Sequence, residues 1–267
     1  MSPRSEAGFR FALGLVLWAT GFTLVRAVVA YLLSSLLRLA GYALCLPIDW
    51  RRFFASRLGL RETTITRRAY ITGAAFCLLA ALTQVDMIAA KHYLAADVAG
   101  HYAAACTLTK TPFLLLAGSF ASVMFPSVVR TGSTTSEGLK LLAQTLGLVG
   151  GGIGLVVVVC SLLPEQIVTL LMGAEFRPLA DWLPIFALLA CAPGLLSVVA
   201  RYYMVSHGSL LVPWLAIGLA AVVGSLALFH DSELHIAAAM AIGSGVPLLA
   251  LWAHGAVLAM RVSPRTD

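Results

Sequence analysis

Long apolar blocks separated by short polar segments run along the chain, and this pattern predicts membrane-spanning helices. A span needs about 20 mostly apolar residues, because each helical residue rises only about 1.5 Å across the hydrocarbon core. A block at 9–48 is long enough for two spans joined by a tight turn near Val25 and Arg26, so we expect about eight spans in all. The other six predicted spans are 69–90, 100–128, 141–163, 183–204, 210–229 and 236–260.

The fold class predicted from this pattern is an all-α integral membrane protein. Residues 1–48 are expected to form a helical hairpin, 49–68 a basic loop, 69–262 a lobe of six helices, and 263–267 a tail. Because the block 100–128 is longer than a bilayer needs, we expect its helix to be tilted, or broken near Pro112.

Composition agrees with lipid as the solvent. Hydrophobic residues make up 60% of the chain and charged residues 11%, with a mean hydropathy of +0.92. A soluble domain of this length would need far more charge to cover its surface. The five cysteines lie in or beside apolar blocks without the spacing of a metal site or disulfide framework, so neither a metal nor another cofactor is expected.

Most basic residues lie in the short segments between apolar blocks, which indicates membrane orientation rather than nucleic-acid binding. The segment 49–68 has six arginines against two acids, which predicts a cytoplasmic location. Every second loop after it is also basic, so we expect the C-terminus in the cytoplasm of a multi-pass cell-membrane protein. Membrane lipid is therefore an expected partner, and nucleic acid is not.

Two charged residues, Asp86 and Lys110, fall inside predicted spans, where a charge costs a few kcal/mol. Thr107, Lys110 and Thr111 share one face of their predicted helix. Asp86 and Lys110 differ in predicted depth by about 7 Å, which a lysine side chain can partly cover.

Two interpretations of these charges stay open. In the first, they line a polar cavity in which Asp86 takes a proton or cation and Lys110 attracts an anionic group. In the second, they form a structural ion pair between helices, or the lysine side chain snorkels to the membrane surface. Arg38 has the same two interpretations, as a cavity residue or as a side chain that reaches the cytoplasmic headgroups.

Two sets of short motifs resemble the polysaccharide flippases of the multidrug, oligosaccharidyl-lipid and polysaccharide exporter superfamily. One set places an aspartate in the first helix of the C-terminal lobe, then a Gly-x-Tyr-Ala helix entry, then a Phe-Pro: QVDMI at 84–88, GHYAAA at 100–105 and VMFP at 123–126. The other runs from Leu163-Pro164 through LMGAEF at 171–176 to Leu183-Pro184. The resemblance covers about 69–260 well and 9–48 only loosely.

The resemblance implies two six-helix lobes around a central cavity, which move polyprenyl-diphosphate-linked oligosaccharide outward by alternating access. It assigns Asp86 and Tyr102 to the substrate or ion site, beside Lys110, Thr107 and Arg38 from the reading of the spans. Family members have twelve or more spans, so the first four helices of the N-terminal lobe have no counterpart among the predicted spans. A second chain or copy that supplies them is an expected partner.

Other function classes remain open at this stage. A multidrug or peptidoglycan-precursor exporter of the same superfamily would have the same charge pattern. A non-transporting assembly subunit is also compatible with the short chain. An integral membrane enzyme acting on a lipid-linked sugar would need a polar cluster at one membrane face, and the loop 231–235 is the only candidate. We therefore expect a transporter and not an enzyme.

Overall fold

The computed structural model describes residues 63–131 and 135–262, together with Leu33 and Leu36, which are helical. The predicted hairpin at 1–48, including Arg38, otherwise lies outside the described residues, as do most of the basic loop 49–68 and the tail 263–267. Two compact units divide the chain, residues 1–63 and 64–267, and the second contains the predicted six-helix lobe.

The described residues are helical throughout, with no strand among them, which confirms the all-α class. In chain order, the helices are α1 Thr63–Tyr93, α2 Ala96–Thr131, α3 Ser136–Leu162, α4 Pro164–Leu171, a 3₁₀ helix Ala174–Asp181, α5 Leu183–Leu189, α6 Cys191–Ser206, α7 Gly208–Leu228 and α8 Glu233–Val262.

Local sequence signals explain where several of these helices begin and end. Thr135 caps α3 by accepting a hydrogen bond from the Gly138 N–H at 3.2 Å. Pro164 begins α4, where the first helical position needs no N–H. Gly173 follows α4 with φ of 103°, a left-handed conformation that favours glycine, and it redirects the chain into the 3₁₀ helix.

Six helical segments of the described residues are long and apolar enough to cross a membrane, so the chain is a multi-pass membrane protein. They agree with the six predicted spans outside the hairpin: Ala69–Tyr93, Ala96–Phe120, Glu137–Leu162, Leu183–Val205, Gly208–Leu228 and Glu233–Leu258. Large apolar side chains such as Ile88, Leu115 and Trp252 are exposed on the outside of the bundle, as expected where lipid replaces water.

Of the two alternatives for the block 100–128, the break near Pro112 is wrong, because α2 runs without interruption from Ala96 to Thr131. The tilt stays a prediction. The span that is interrupted is Leu183–Val205, where α5 ends at Leu189 and α6 begins at Cys191. Pro193 has no N–H, so the Leu189 carbonyl lacks its normal i+4 donor, and the helix is interrupted at Ala190.

The interrupted span Leu183–Val205 lies at the centre of the bundle. Of its apolar window, 61% is buried, against 28% for the first described span. Its second half, α6, contacts α2, α3, α7 and α8. Residues from several helices therefore meet around this span, and a polar group placed there is shielded from the surroundings of the bundle.

Ring contacts group the span ends onto two faces. On one, which we call the Tyr93 face, Tyr93 stacks on His230 at 4.4 Å between ring centroids, and His101 meets Phe176 at 5.6 Å. On the other, the Thr63 face, His207 meets His254 at 5.5 Å. Successive spans thus run in opposite directions, as the alternating loops predict. The cytoplasmic location of the Thr63 face stays a prediction.

The closest helix crossing joins α7 to α8 through Gly218 and Gly243. A Cβ added to Gly243 would lie 2.1 Å from Cγ2 of Val222 and 2.7 Å from the carbonyl oxygen of Gly218. Small residues let membrane helices approach backbone to backbone, where packing takes the place of the hydrophobic effect.

We expect Gly243→Ala to lower the free energy of unfolding by about 1–3 kcal/mol, because the added methyl group overpacks this crossing. Thermal unfolding of the whole chain in detergent measures the effect. Gly245→Ala is the matched control, since a Cβ at Gly245 meets nothing within 4 Å in the same helix. Equal unfolding temperatures for the two variants would contradict the assigned crossing.

Candidate functional site

Asp86 lies on the buried face of α1, in line with apolar residues at helical spacing. Leu79, Leu82, Ala89 and Ala90 share that face, and Asp86 itself has 0% of its surface exposed. The helix therefore turns a carboxylate into the bundle at a position where the pattern would otherwise place an apolar side chain. A buried carboxylate needs compensating partners.

The partners come from one face of α2. Tyr102, Cys106 and Lys110 follow one another at intervals of four residues, so they form a row along the helix. The connection between α1 and α2 is only Leu94 and Ala95, which makes the two helices an antiparallel hairpin. This short turn brings the row opposite Asp86.

All three donors converge on one carboxylate oxygen. The Tyr102 hydroxyl donates to Oδ2 of Asp86 at 2.8 Å, and the Cys106 thiol lies 3.6 Å from the same atom. The Lys110 ammonium forms both a hydrogen bond and an ion pair with Oδ2. By contrast, Oδ1 of Asp86 is buried and has no hydrogen-bond partner in the described part of the chain.

Helix geometry explains how these groups meet. Asp86 lies about two turns before the end of α1, and Tyr102 about two turns after the start of α2, so the two are level. Lys110 begins about 12 Å further along α2. Helical side chains point back toward the helix N-terminus, and the long lysine side chain thereby returns to Asp86. The lysine side chain thus spans the predicted difference in depth between Lys110 and Asp86.

Thr107, the other site residue predicted on α2, lies away from Asp86. Its side chain is exposed, and its hydroxyl donates to the Ala103 carbonyl at 2.8 Å. Thr109 is buried instead and donates to Ala105 at 2.9 Å. The structure therefore brings together Asp86, Tyr102 and Lys110, but not Thr107, and Arg38 lies outside the described residues.

Cys106 is the contact that sequence reasoning did not single out. The signal for it is the four-residue spacing from Tyr102 through Cys106 to Lys110, whereas the predicted polar face was the threonine face of the same helix. A cysteine in an apolar block usually behaves as a small apolar residue, and only the position of Asp86 gives this one a polar contact.

Two small pockets adjoin Lys110. The larger, with a volume of about 10 Å³ that holds roughly one water molecule, is lined by Tyr102, Cys106, Thr109, Lys110, Ala190 and apolar residues of α5 and α8. The smaller, which is too narrow to hold a water molecule, lies between Thr83, Lys110 and the start of α6. Ala190, where the central span is interrupted, lines both.

This arrangement can exchange charged groups. A carboxylate with one free oxygen can take a proton or a small cation, and an ammonium group that lines a pocket can attract an anion. Within residues 63–131 and 135–262, no group of three or more His, Cys, Asp or Glu side chains is placed to hold a metal ion.

We expect Lys110→Met to lower the free energy of unfolding by about 3–5 kcal/mol, because it leaves the Asp86 carboxylate buried without its counter-ion. Chemical unfolding in detergent checks this. The control is Lys140→Met, since Lys140 is exposed on α3 and its loss should change stability by less than about 0.5 kcal/mol. Similar effects in both variants would show that the lysine at 110 does not stabilise a buried charge.

A second polar cluster lies at the Thr63 face, where α6, α7 and α8 meet. The Tyr203 hydroxyl donates to the Leu251 carbonyl at 2.8 Å and lies 3.0 Å from Nδ1 of His254. His207 joins α6 to α7, and its Nδ1 is buried with no hydrogen-bond partner among the described residues. Burial lowers the pKa of His207, and the neighbouring His254 lowers it further.

A lowered pKa means that folding disfavours protonation of His207. The stability seen at neutral pH is therefore lost as pH falls below about 6.5, the unfolded value, toward the folded pKa. We expect His207→Gln to unfold at nearly the same temperature as the original chain at pH 7.5, and to lose less stability than that chain at pH 5. Thermal scans across this range test it, with His92→Gln, an exposed histidine at the other face, as control. Parallel pH profiles for all three proteins would refute it.

Comparison of the chain with known protein families, with curated proteins and with solved structures finds no match in any of the three.

Proposed function

We propose that this chain is a membrane exporter that flips polyprenyl-diphosphate-linked oligosaccharide across the cytoplasmic membrane by alternating access. The observation that supports it most is the Asp86–Lys110 pair inside a membrane-spanning bundle, with one carboxylate oxygen that has no hydrogen-bond partner among the described residues. Ionisable residues at such a position are costly, and they commonly mark the path of an ion or a charged substrate.

The substrate class rests on the resemblance of the motifs around Asp86, Tyr102 and the 171–176 segment to polysaccharide flippases. In this proposal the six described spans form the C-terminal lobe, and a cationic group such as Lys110 meets the diphosphate while the polyprenyl tail stays in lipid.

Flipping can be measured in proteoliposomes that contain the whole chain and a fluorescent polyprenyl-diphosphate oligosaccharide. A membrane-impermeant quencher reports how much of the lipid reaches the outer leaflet. We expect transfer well above that of protein-free vesicles, and no transfer of a fluorescent glycerophospholipid, which would otherwise indicate general scrambling. The proposal fails if the lipid-linked sugar neither moves nor binds. Movement of a drug or a peptidoglycan precursor instead would assign the related exporter.

Ion coupling through Asp86 is a separate part of the proposal. We expect Asp86→Asn to abolish the dependence of flipping on pH or on sodium concentration, because the amide can neither take up a proton nor carry the negative charge. Initial rates at several pH values and sodium concentrations measure this. Rates identical to those of the original chain under every condition would exclude coupling at this residue.

A further inference from the structure

Among the described residues, Lys110 is the only charged one that lines either of the two pockets beside the site. The hydroxyl groups of Thr83 and Thr109 already donate to the carbonyls of Ala80 and Ala105, and the Tyr102 hydroxyl donates to Asp86. An anionic group that enters these pockets would therefore be recognised by the Lys110 ammonium alone.

The ammonium group is not free to do this while it is paired with Asp86. If it turned toward a pocket, the Asp86 carboxylate would keep only the Tyr102 hydroxyl and the weak Cys106 thiol donor. A fully buried carboxylate without a counter-ion is strongly disfavoured, and such a group takes up a proton instead. The unpartnered Oδ1 provides an oxygen that can receive it.

No other titratable group in the described residues is placed to compensate Asp86. The groups that face it from α2 are Tyr102, Cys106 and Lys110. The elements on the far side of the pockets, α5, α6 and α8, contribute apolar side chains such as Phe186, Ala237 and Met240. The net charge of the site must then be balanced between Asp86, Lys110 and whatever enters.

We propose that an anionic group, such as a substrate phosphate, binds Lys110 in exchange for Asp86, and that Asp86 takes up one proton for each anion bound. The substrate class named in this inference rests on the proposed function. In the structure the lysine is held by Asp86 and both pockets are narrow, so the exchange begins by breaking this ion pair. Because Ala190 lines both pockets, a movement at the interruption between α5 and α6 widens both.

Proton uptake on binding predicts how steeply the affinity for the anion depends on pH. Where Asp86 is ionised in the free protein, uptake of one proton per anion makes binding about tenfold tighter for each unit of pH lowered. The probes are a short-chain polyprenyl-diphosphate sugar, in which each phosphate carries one negative charge, and methanesulfonate, which is a monoanion. Both stay fully ionised between pH 5 and 8. Calorimetry on the whole chain in detergent gives the dissociation constants across that range.

We expect Asp86→Asn to bind both probes with an affinity that does not change with pH, and Lys110→Gln to lose at least tenfold in affinity. Lys110→Arg keeps a cation and should retain the pH slope, which separates lost charge from misfolding. Lys140→Gln, an exposed lysine on α3, is the matched control and should bind like the original chain.

Any one of three results would overturn the exchange. These are binding by the original chain that does not depend on pH, unchanged binding by Lys110→Gln, and no binding of either anion. Methanesulfonate binding with the Asp86-dependent slope, but no binding of the lipid-linked sugar, would support the exchange and contradict the proposed substrate. Binding of the lipid-linked sugar with no dependence on pH would contradict the exchange and support the proposed substrate.

Discussion

A carboxylate that is fully buried in a membrane-spanning bundle must be neutralised, and this requirement organises the described part of the protein. Asp86 is neutralised by Lys110 and held by Tyr102 and Cys106. These contacts need α1 and α2 to be antiparallel and joined by a very short turn. Neutralisation of Asp86 therefore depends on three features together: the α1–α2 hairpin, the four-residue spacing of the row on α2, and the length of the lysine side chain.

The other helices of the bundle surround the Asp86–Lys110 pair. The interrupted span formed by α5 and α6 lies at its centre, and Phe186 packs its ring against Tyr102 at 5.5 Å. Close packing of α7 on α8 through Gly218 and Gly243 completes the far side. Because Asp86 is fully buried and Lys110 is mostly buried, the Coulomb attraction is strong, but so is the cost of separating the charges. A site of this kind favours states in which the net charge is conserved.

Much of the fold followed from hydropathy, because apolar blocks of span length have few alternatives in a bilayer. The six spans and the alternating direction of the chain were predicted in this way. Pro112 was misread because a proline changes a helix only when its neighbours do not compensate for the lost bond, and sequence does not show the neighbours. Pro193 carries the same sequence signal and does interrupt its span.

Part of the site was also predicted from the hydropathy pattern. Asp86 and Lys110 stood out as charges inside spans, and the resemblance added Tyr102. Which face of α2 meets α1 depends on the rotation of one helix against the other, and an apolar block with weak amphipathicity leaves that rotation open. The threonine face containing Thr107 was therefore as plausible as the face with Cys106, and only tertiary packing distinguishes them.

The pairing of Asp86 with Lys110 is the central claim, and a double-mutant cycle tests it most directly. The free energy of unfolding would be measured in one detergent for the original chain, Asp86→Asn, Lys110→Gln and the double variant. The account predicts that the double variant loses less than the sum of the single losses by at least about 1.5 kcal/mol, because removing both charges leaves neither one unpaired. Losses that add to within about 0.5 kcal/mol would show that the two residues act independently, and would contradict the account.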